Sequence, residues 1–256
     1  MKQTIFSLSG KVALVTGGGR GLGKAMARGF ADAGADVFLC SRSEHELKAA
    51  ADEISQATGQ RAEWAVVDMT RRGAVAELAR DAANRLGKVD ILVNNAGHNV
   101  PQSIDQIDDT TWDRLVELNL SSCMALARAV APGMKERRWG RIIHISSIMG
   151  FASTAGRNAY SATKAALIGM CQASALDLGP YGVTVNCIAP GPFLTEMPMS
   201  ILSPEQQDAL GSRTALGRWG RPDELVGPAL LLASEAGSYI TGTALVVDGG
   251  ALARMF

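Results

Sequence analysis

Short runs rich in β-branched residues alternate with longer helix-forming stretches along almost the whole chain, and this alternation restricts the fold more than any other feature of the sequence. Seven strand candidates centre on Val12 to Thr16, Val37 to Cys40, Trp64 to Asp68, Ile91 to Asn94, Ile142 to Ser146, Val183 to Ile188 and Leu245 to Asp248. Between them, Glu44 to Ala57, Val75 to Leu86 and Trp112 to Met134 carry the spacing of amphipathic helices. A β-then-α order predicts a doubly wound α/β fold, a seven-stranded parallel sheet with helices on both faces. Such a sheet is buried on both sides, which the 47% hydrophobic content against 20% charged can supply. No linker rich in Pro, Ser or charge divides the 256 residues, so one domain over 1–256 is expected.

The bulk numbers remove several function classes. Lys plus Arg and Asp plus Glu stand at 25 each, which leaves no global positive field for nucleic acid or an anionic membrane. Met1 to Ser7 lacks the apolar stretch of a signal peptide, and no run approaches the roughly 20 apolar residues of a membrane helix. A cytoplasmic protein is expected. Cys40, Cys123, Cys171 and Cys187 are too scattered for a zinc site or a disulfide scaffold, which predicts reduced thiols and no metal.

Parallel strands send their carboxyl ends to one edge of the sheet, where open α/β sheets bind ligands. Gly17, Asp68, Asn94, Ser147 and Pro190 fall at or just after strand ends, so residues distant in sequence are expected to meet in one cleft. Gly17, Gly21 and Gly23 open a helix straight after the first strand, where backbone amides can approach a pyrophosphate at the positive helix end. The spacing differs from G-x-G-x-x-G, and Gly18 to Lys24 also matches part of a triphosphate-binding loop. That second reading requires a hydroxyl for magnesium at the next position, and Ala25 has none. After the second strand, Ser41-Arg42 stands where an NAD enzyme usually carries an acid for the ribose hydroxyls. Arg42, with Arg20 reaching from the glycine loop, suits an adenosine 2′-phosphate, so NADP is expected and NAD is the lesser alternative.

Tyr160 and Lys164 lie four apart in a segment of good helix propensity and so share one helix face. An ammonium near a phenol favours the phenolate, which brings the group toward acid–base use. Ser147, at the end of the fifth strand, can hydrogen-bond a carbonyl oxygen beside that phenol. Alone, Tyr-x-x-x-Lys is a common surface pair; beside a phosphate loop and a strand-end serine it points to proton transfer during carbonyl reduction.

Through Thr16 to Gly23, Asn94-Asn95-Ala96-Gly97, Ser147, Tyr160/Lys164 and Pro190-Gly191, the chain resembles the short-chain dehydrogenase/reductase family over its whole length. The resemblance implies a Rossmann-type fold, with Tyr160 as acid/base, Ser147 as carbonyl anchor and Lys164 as modulator of the phenol and ligand of the nicotinamide ribose. It implies that Asn119 positions a proton-relay water; a buried amide tying down a helix irregularity is the other role open to it. It further implies a cofactor site drawn from Gly17, Gly19, Arg20, Gly21, Leu22, Gly23, Ser41, Arg42, Asp68, Met69, Asn95, Ala96, Gly97, Tyr160, Lys164, Ile188, Pro190, Gly191 and Thr195. Asp68 would meet adenine, while Ile188 and Thr195 would face the nicotinamide. Homotetramers are usual in the family, with Gly242 to Gly250 near the subunit contact.

For substrate, Phe6 to Thr16, Ser41-Arg42 and Ala189 to Phe193 resemble gluconate 5-dehydrogenase-type members, and a 3-oxoacyl-carrier-protein reductase is the close rival. The rival is expected to dock an acidic carrier through two basic residues; Arg138 fits one position and Tyr181 occupies the other. Pro192 to Leu216, with Phe193, Met197, Pro198 and Met199, interrupts the β/α rhythm where a loop could close over substrate. His98, Asn99, Met149, Phe151 and Arg157 are placed near the pocket, while His144 sits inside an apolar strand as a core residue. A noncatalytic NADP-binding sensor or scaffold is the alternative from another class.

Overall fold

The computed structural model describes residues 4–195 and 203–253, so Met197, Pro198 and Met199 of the candidate lid lie outside the described residues. Its centre is a seven-stranded sheet whose pairings are all parallel: β1 (Val12–Thr16), β2 (Asp36–Ser41), β3 (Ala62–Val66), β4 (Ile91–Asn94), β5 (Gly140–Ile145), β6 (Val183–Pro190) and β7 (Ala244–Val247). The spatial order is β3-β2-β1-β4-β5-β6-β7, so the strand order reverses between β1 and β4. Ligand clefts of open α/β sheets form at such a switch point.

The sheet is hidden on both faces because successive strand residues point to opposite sides. Ala13, Val15, Val37 and Leu39 join one core cluster, and Val12, Leu14, Phe38 and Cys40 join the other. On the first face pack α1 (Gly21–Asp32), α2 (Glu44–Thr58) and α8 (Val226–Ala233). On the second pack α3 (Arg72–Leu86), α5 (Ser122–Arg137) and α6 (Asn158–Leu178). Local chemistry ends these helices sharply. Ser43 caps α2 by accepting from the Glu46 amide at 3.4 Å, and Gly59 closes the helix at φ +72, a left-handed conformation that costs glycine little.

The stretch Trp112 to Met134, expected as one helix, is α4 (Asp109–Val116) and α5 joined by a π-helical turn over Glu117–Ser121. One extra residue is accommodated there, and the fully buried Asn119 sits in it. The excursion after β6 contains a short helix, α7 (Pro204–Ser212), with a Ser203/Gln206 capping box.

At the edge opposite the switch-point cleft, two ionised side chains are buried in a mesh of partners. Asp90 accepts from the Val12 amide at 3.1 Å and pairs with Lys88 at 3.0 Å and Arg137 at 3.4 Å. Arg141 donates to the Ser234 and Gly140 carbonyls and pairs with Glu235 at 3.4 Å. The Trp139 ring is approached by both Lys11 and Arg141, whose charges lie 3.4 and 4.3 Å from its centroid. Among the described residues, no helix is long and apolar enough to cross a membrane.

Candidate active site

The glycine loop runs from the end of β1 into α1. Gly17 and Gly18 amides donate to the Cys40 carbonyl at 2.7 and 3.2 Å, which ties the loop to β2. Gly17 and Gly21 adopt positive φ, +64 and +54. At Gly23 a methyl would lie 2.2 Å from the Gly17 carbonyl oxygen and 2.5 Å from Asn95 Nδ2, so no other residue fits without moving backbone. Gly19 packs against Glu46, and the partly buried Leu22 leans on the core.

Thr16 and Asn95 lock this loop to β4. Thr16 Oγ1 accepts from the Asn95 and Ala96 amides, both at 2.9 Å, and Asn95 Nδ2 donates to the Thr16 and Gly17 carbonyls at 2.9 and 3.3 Å. The α1 N-terminus carries no side-chain cap and no acid in its first turn, in contrast to α2 with its Ser43 cap, Glu44 and Glu46. Backbone donors and a positive helix end are therefore left for an anion, the requirement of a pyrophosphate ligand.

Around this cradle stand the other cofactor candidates. Arg42 is exposed beyond the end of β2, and no carboxylate among the described residues forms an ion pair with it. Arg20 pairs with Glu46 at 3.1 Å, a partner 26 residues away. Ser41 accepts from the Ser43 amide at 3.3 Å, turning the chain into α2. Asp68 accepts from the Thr70 amide and hydroxyl at 2.9 and 2.8 Å, and these bonds, with Arg42 and Arg114 nearby, hold its carboxyl below the ordinary aspartate value. Met69 is buried against Cys40, whose thiol burial pushes up to about 12. On the far side of the cleft, Ile188 lies buried in β6, Pro190 ends that strand, and the Gly191 amide donates to the Val247 carbonyl at 3.0 Å. Thr195 approaches α1, its Cγ2 3.4 Å from where a Gly21 methyl would stand.

The proton-transfer candidates converge from three elements. Tyr160 and Lys164 occupy the first turns of α6, with the Lys164 ammonium 5.5 Å from the Tyr160 ring centroid. Lys164 is 4% exposed, and its Nζ donates to the Ile145 carbonyl at 2.7 Å while its own carbonyl accepts from Ser146 Oγ at 2.8 Å. Asn119 Oδ1 accepts from the His98 amide, and its Nδ2 donates to the His98 carbonyl at 2.9 Å and to Thr163 Oγ1 at 3.3 Å. A methyl at Gly97 would lie 3.2 Å from Asn119 Oδ1 and 3.4 Å from Lys164 Nζ, so both side chains approach Gly97. Ser147 is buried at the N-cap of a 3₁₀ turn over Ile148–Gly150, where its Oγ accepts from the Met149 amide at 3.1 Å. Among the described residues no hydrogen bond joins Ser147 to Tyr160, and the Tyr160 hydroxyl has no protein partner.

His144 is buried in β5, with Asn94 Nδ2 donating to its Nδ1 at 3.1 Å. Burial first, and then the Lys164 charge, lower its pKa to about 4, so the ring is neutral. Three participants were given no site role from sequence: Thr16, which fastens the glycine loop, Thr163, which holds Asn119, and Ser146, which fixes the Lys164 backbone. The signal available was a hydroxyl residue directly at a strand end, or one position before the lysine.

A family model described as short chain dehydrogenase matches residues 11–206. Gluconate 5-dehydrogenase of Gluconobacter oxydans is 38% identical over 247 residues, 96% of each chain. The 3-oxoacyl-[acyl-carrier-protein] reductase of Aquifex aeolicus is 37% identical over 95% of this chain and 98% of that protein. A crystal structure of a gluconate 5-dehydrogenase from Burkholderia cenocepacia, in complex with NADP and tartrate, superposes with a TM-score of 0.93 at 36% identity, covering 100% of both chains.

Proposed function

The chain belongs to the short-chain dehydrogenase family, and from that premise we propose an NADP-dependent oxidoreductase that interconverts a secondary alcohol and a ketone, with a sugar acid of the gluconate/5-ketogluconate kind as substrate. The observation that carries the reaction class is the buried Lys164 ammonium, one helical turn from Tyr160 and against Asn119 and Gly97. Bound across the glycine loop, the nicotinamide cofactor would supply or accept the hydride at the carbonyl carbon. Tyr160 gives its hydroxyl proton to the carbonyl oxygen during reduction and takes it back during oxidation. The Lys164 ammonium stabilises negative charge on that phenol oxygen. Ser147 Oγ, already accepting from Met149, keeps its own proton to donate to the substrate oxygen. Asn119 holds the loop after β4 and α6 at a fixed spacing through His98 and Thr163.

NADP is favoured over NAD by the exposed Arg42 beyond β2, which forms no ion pair among the described residues, and by the NADP bound to the similar Burkholderia enzyme. Four free, buried cysteines accord with a reducing compartment, the cytoplasm. A homotetramer is supported by Leu176, Tyr239 and Val246, large apolar side chains left exposed beside the sheet's free edge at β7. Sedimentation equilibrium giving a single subunit mass would reject that assembly.

Tyr160→Phe is expected to abolish turnover while NADPH binding persists, and undiminished turnover would defeat the assignment. No turnover across a broad panel of alcohols and ketones, despite tight NADPH binding, would instead support a noncatalytic sensor or scaffold. One observation favours a second substrate reading, the 3-oxoacyl-carrier-protein reductase. Lys135 lies 4.1 Å over the Tyr181 ring, placing a cation beside Arg138 where a second basic residue is expected. Rates with gluconate, 5-ketogluconate and acetoacetyl thioesters separate the two.

A further inference from the structure

Immediately before the catalytic helix the chain carries a guanidinium that, among the described residues, forms no ion pair. Arg157 occupies the N-cap position of α6, three residues ahead of Tyr160, and is half-buried. Among the described residues no carboxylate lies within ion-pair distance of it, and no side-chain hydrogen bond is made by it. A cation withdrawn from water in part and given no counter-charge is unfavourable in isolation.

Its backbone position is set from the loop after β4. Gln102 and Arg157 form a parallel bridge, the Gln102 amide donates to the Gly156 carbonyl at 2.9 Å, and Asn158 Nδ2 donates to the Gln102 carbonyl at 3.1 Å. Asp108, an acid of that same loop, is committed elsewhere: it accepts from Gln102 Nε2 at 2.9 Å and from the Thr111 amide at 2.8 Å. The loop also holds two buried acceptors, Asn99 Oδ1 and Gln102 Oε1, that no donor among the described residues reaches. Such atoms are rare in folded proteins and remain unfavourable until a donor arrives.

We infer that Arg157, half-buried three residues ahead of Tyr160, is the specificity-determining anchor for a substrate carboxylate. The chemistry required is one anion on a chain short enough to reach Tyr160, which a sugar acid of the gluconate kind supplies. This deepens the sugar-acid reading above and rests on it. A guanidinium fork pairs with both oxygens of a carboxylate, and loss of such a pair costs about 10–100-fold in affinity.

The test is calorimetric titration of the protein–NADPH complex with gluconate and with sorbitol, its uncharged counterpart of equal chain length, for the unsubstituted protein, Arg157→Gln and Arg157→Lys. NADPH fluorescence first establishes that each variant is folded. Arg157→Gln should weaken gluconate about 10–100-fold and sorbitol less than about 2-fold, with Arg157→Lys falling between. If Arg157→Gln fails to fold, the same selective loss is read from Arg157→Lys, at a few-fold. Equal losses for both ligands, no loss for either, or no gluconate binding by the unsubstituted protein would overturn the role of Arg157. The sugar-acid reading fails on a different measurement: no turnover of gluconate or 5-ketogluconate by the unsubstituted enzyme while it reduces an acetoacetyl thioester.

Discussion

Acidification of His144 is a perturbation whose size follows from its surroundings. The ring is wholly buried in β5, accepts one hydrogen bond from Asn94 and stands near the Lys164 ammonium; burial and that charge depress its pKa from 6.5 to about 4. The folded state therefore binds fewer protons than the unfolded chain between these two values. Stability is present above the unfolded value and is lost as the pH falls toward the folded one. Integrating the proton difference, His144 alone should remove about 2 kcal/mol of folding stability between about pH 7 and about pH 5. Aspartates and glutamates, with unfolded values near 4, contribute little in that window. His98, whose pKa is lowered by burial, Arg114 and Arg42, adds in the same direction. The assay is urea unfolding at one protein concentration at both pH values, for the unsubstituted protein and for His144→Gln, which keeps a hydrogen-bonding group. The variant should lose about 2 kcal/mol of the pH dependence whatever its absolute stability. An identical pH dependence in the variant, or an NMR titration placing the His144 ring at its ordinary pKa, would refute the reasoning.

Two further outcomes follow from the cofactor cradle. Arg42→Asp should weaken NADPH by about 10–100-fold and NADH much less, because it removes a guanidinium from the 2′-phosphate and adds a like charge; equal losses in fluorescence titrations would remove the 2′-phosphate argument. Gly23→Ala would drive a methyl to 2.2 Å from the Gly17 carbonyl oxygen, costing roughly 1–3 kcal/mol of stability and displacing the amides that face the phosphates; an unchanged melting temperature and NADPH affinity would contradict the packing described.

Much of this molecule is legible in the sequence because a parallel sheet demands apolar strands at regular intervals, and all seven expected strands form. Their edges are less legible. The apolar run ending at Asp68 outlasts β3, since pairing with β2 stops at the Ser41–Val66 register. The π turn at Glu117–Ser121 escapes periodicity, because one added residue barely alters the apolar spacing of a long helix; only the isolated Asn119 marks it. The approach of Asn119 and Lys164 to Gly97 is less legible, because Asn119 lies inside the π turn, neither after a strand nor at a helix start, and reaches Gly97 only through packing. Arg20 illustrates the same case: its pairing with Glu46 depends on α1 and α2 lying side by side, which residue spacing does not convey. That Arg157 has no ion pair among the described residues is likewise a three-dimensional property, since Asp108 of the neighbouring loop is engaged by Gln102 and the Thr111 amide.

The buried charges Asp90 and Arg141, with Trp139 and their partners, brace the end of the sheet remote from the cleft. Ruggedness and chemistry are thereby assigned to opposite ends of the same strands. Remodelling the loops around Tyr160 for another substrate leaves that brace untouched, and selection for heat tolerance can act on the brace without disturbing the loops.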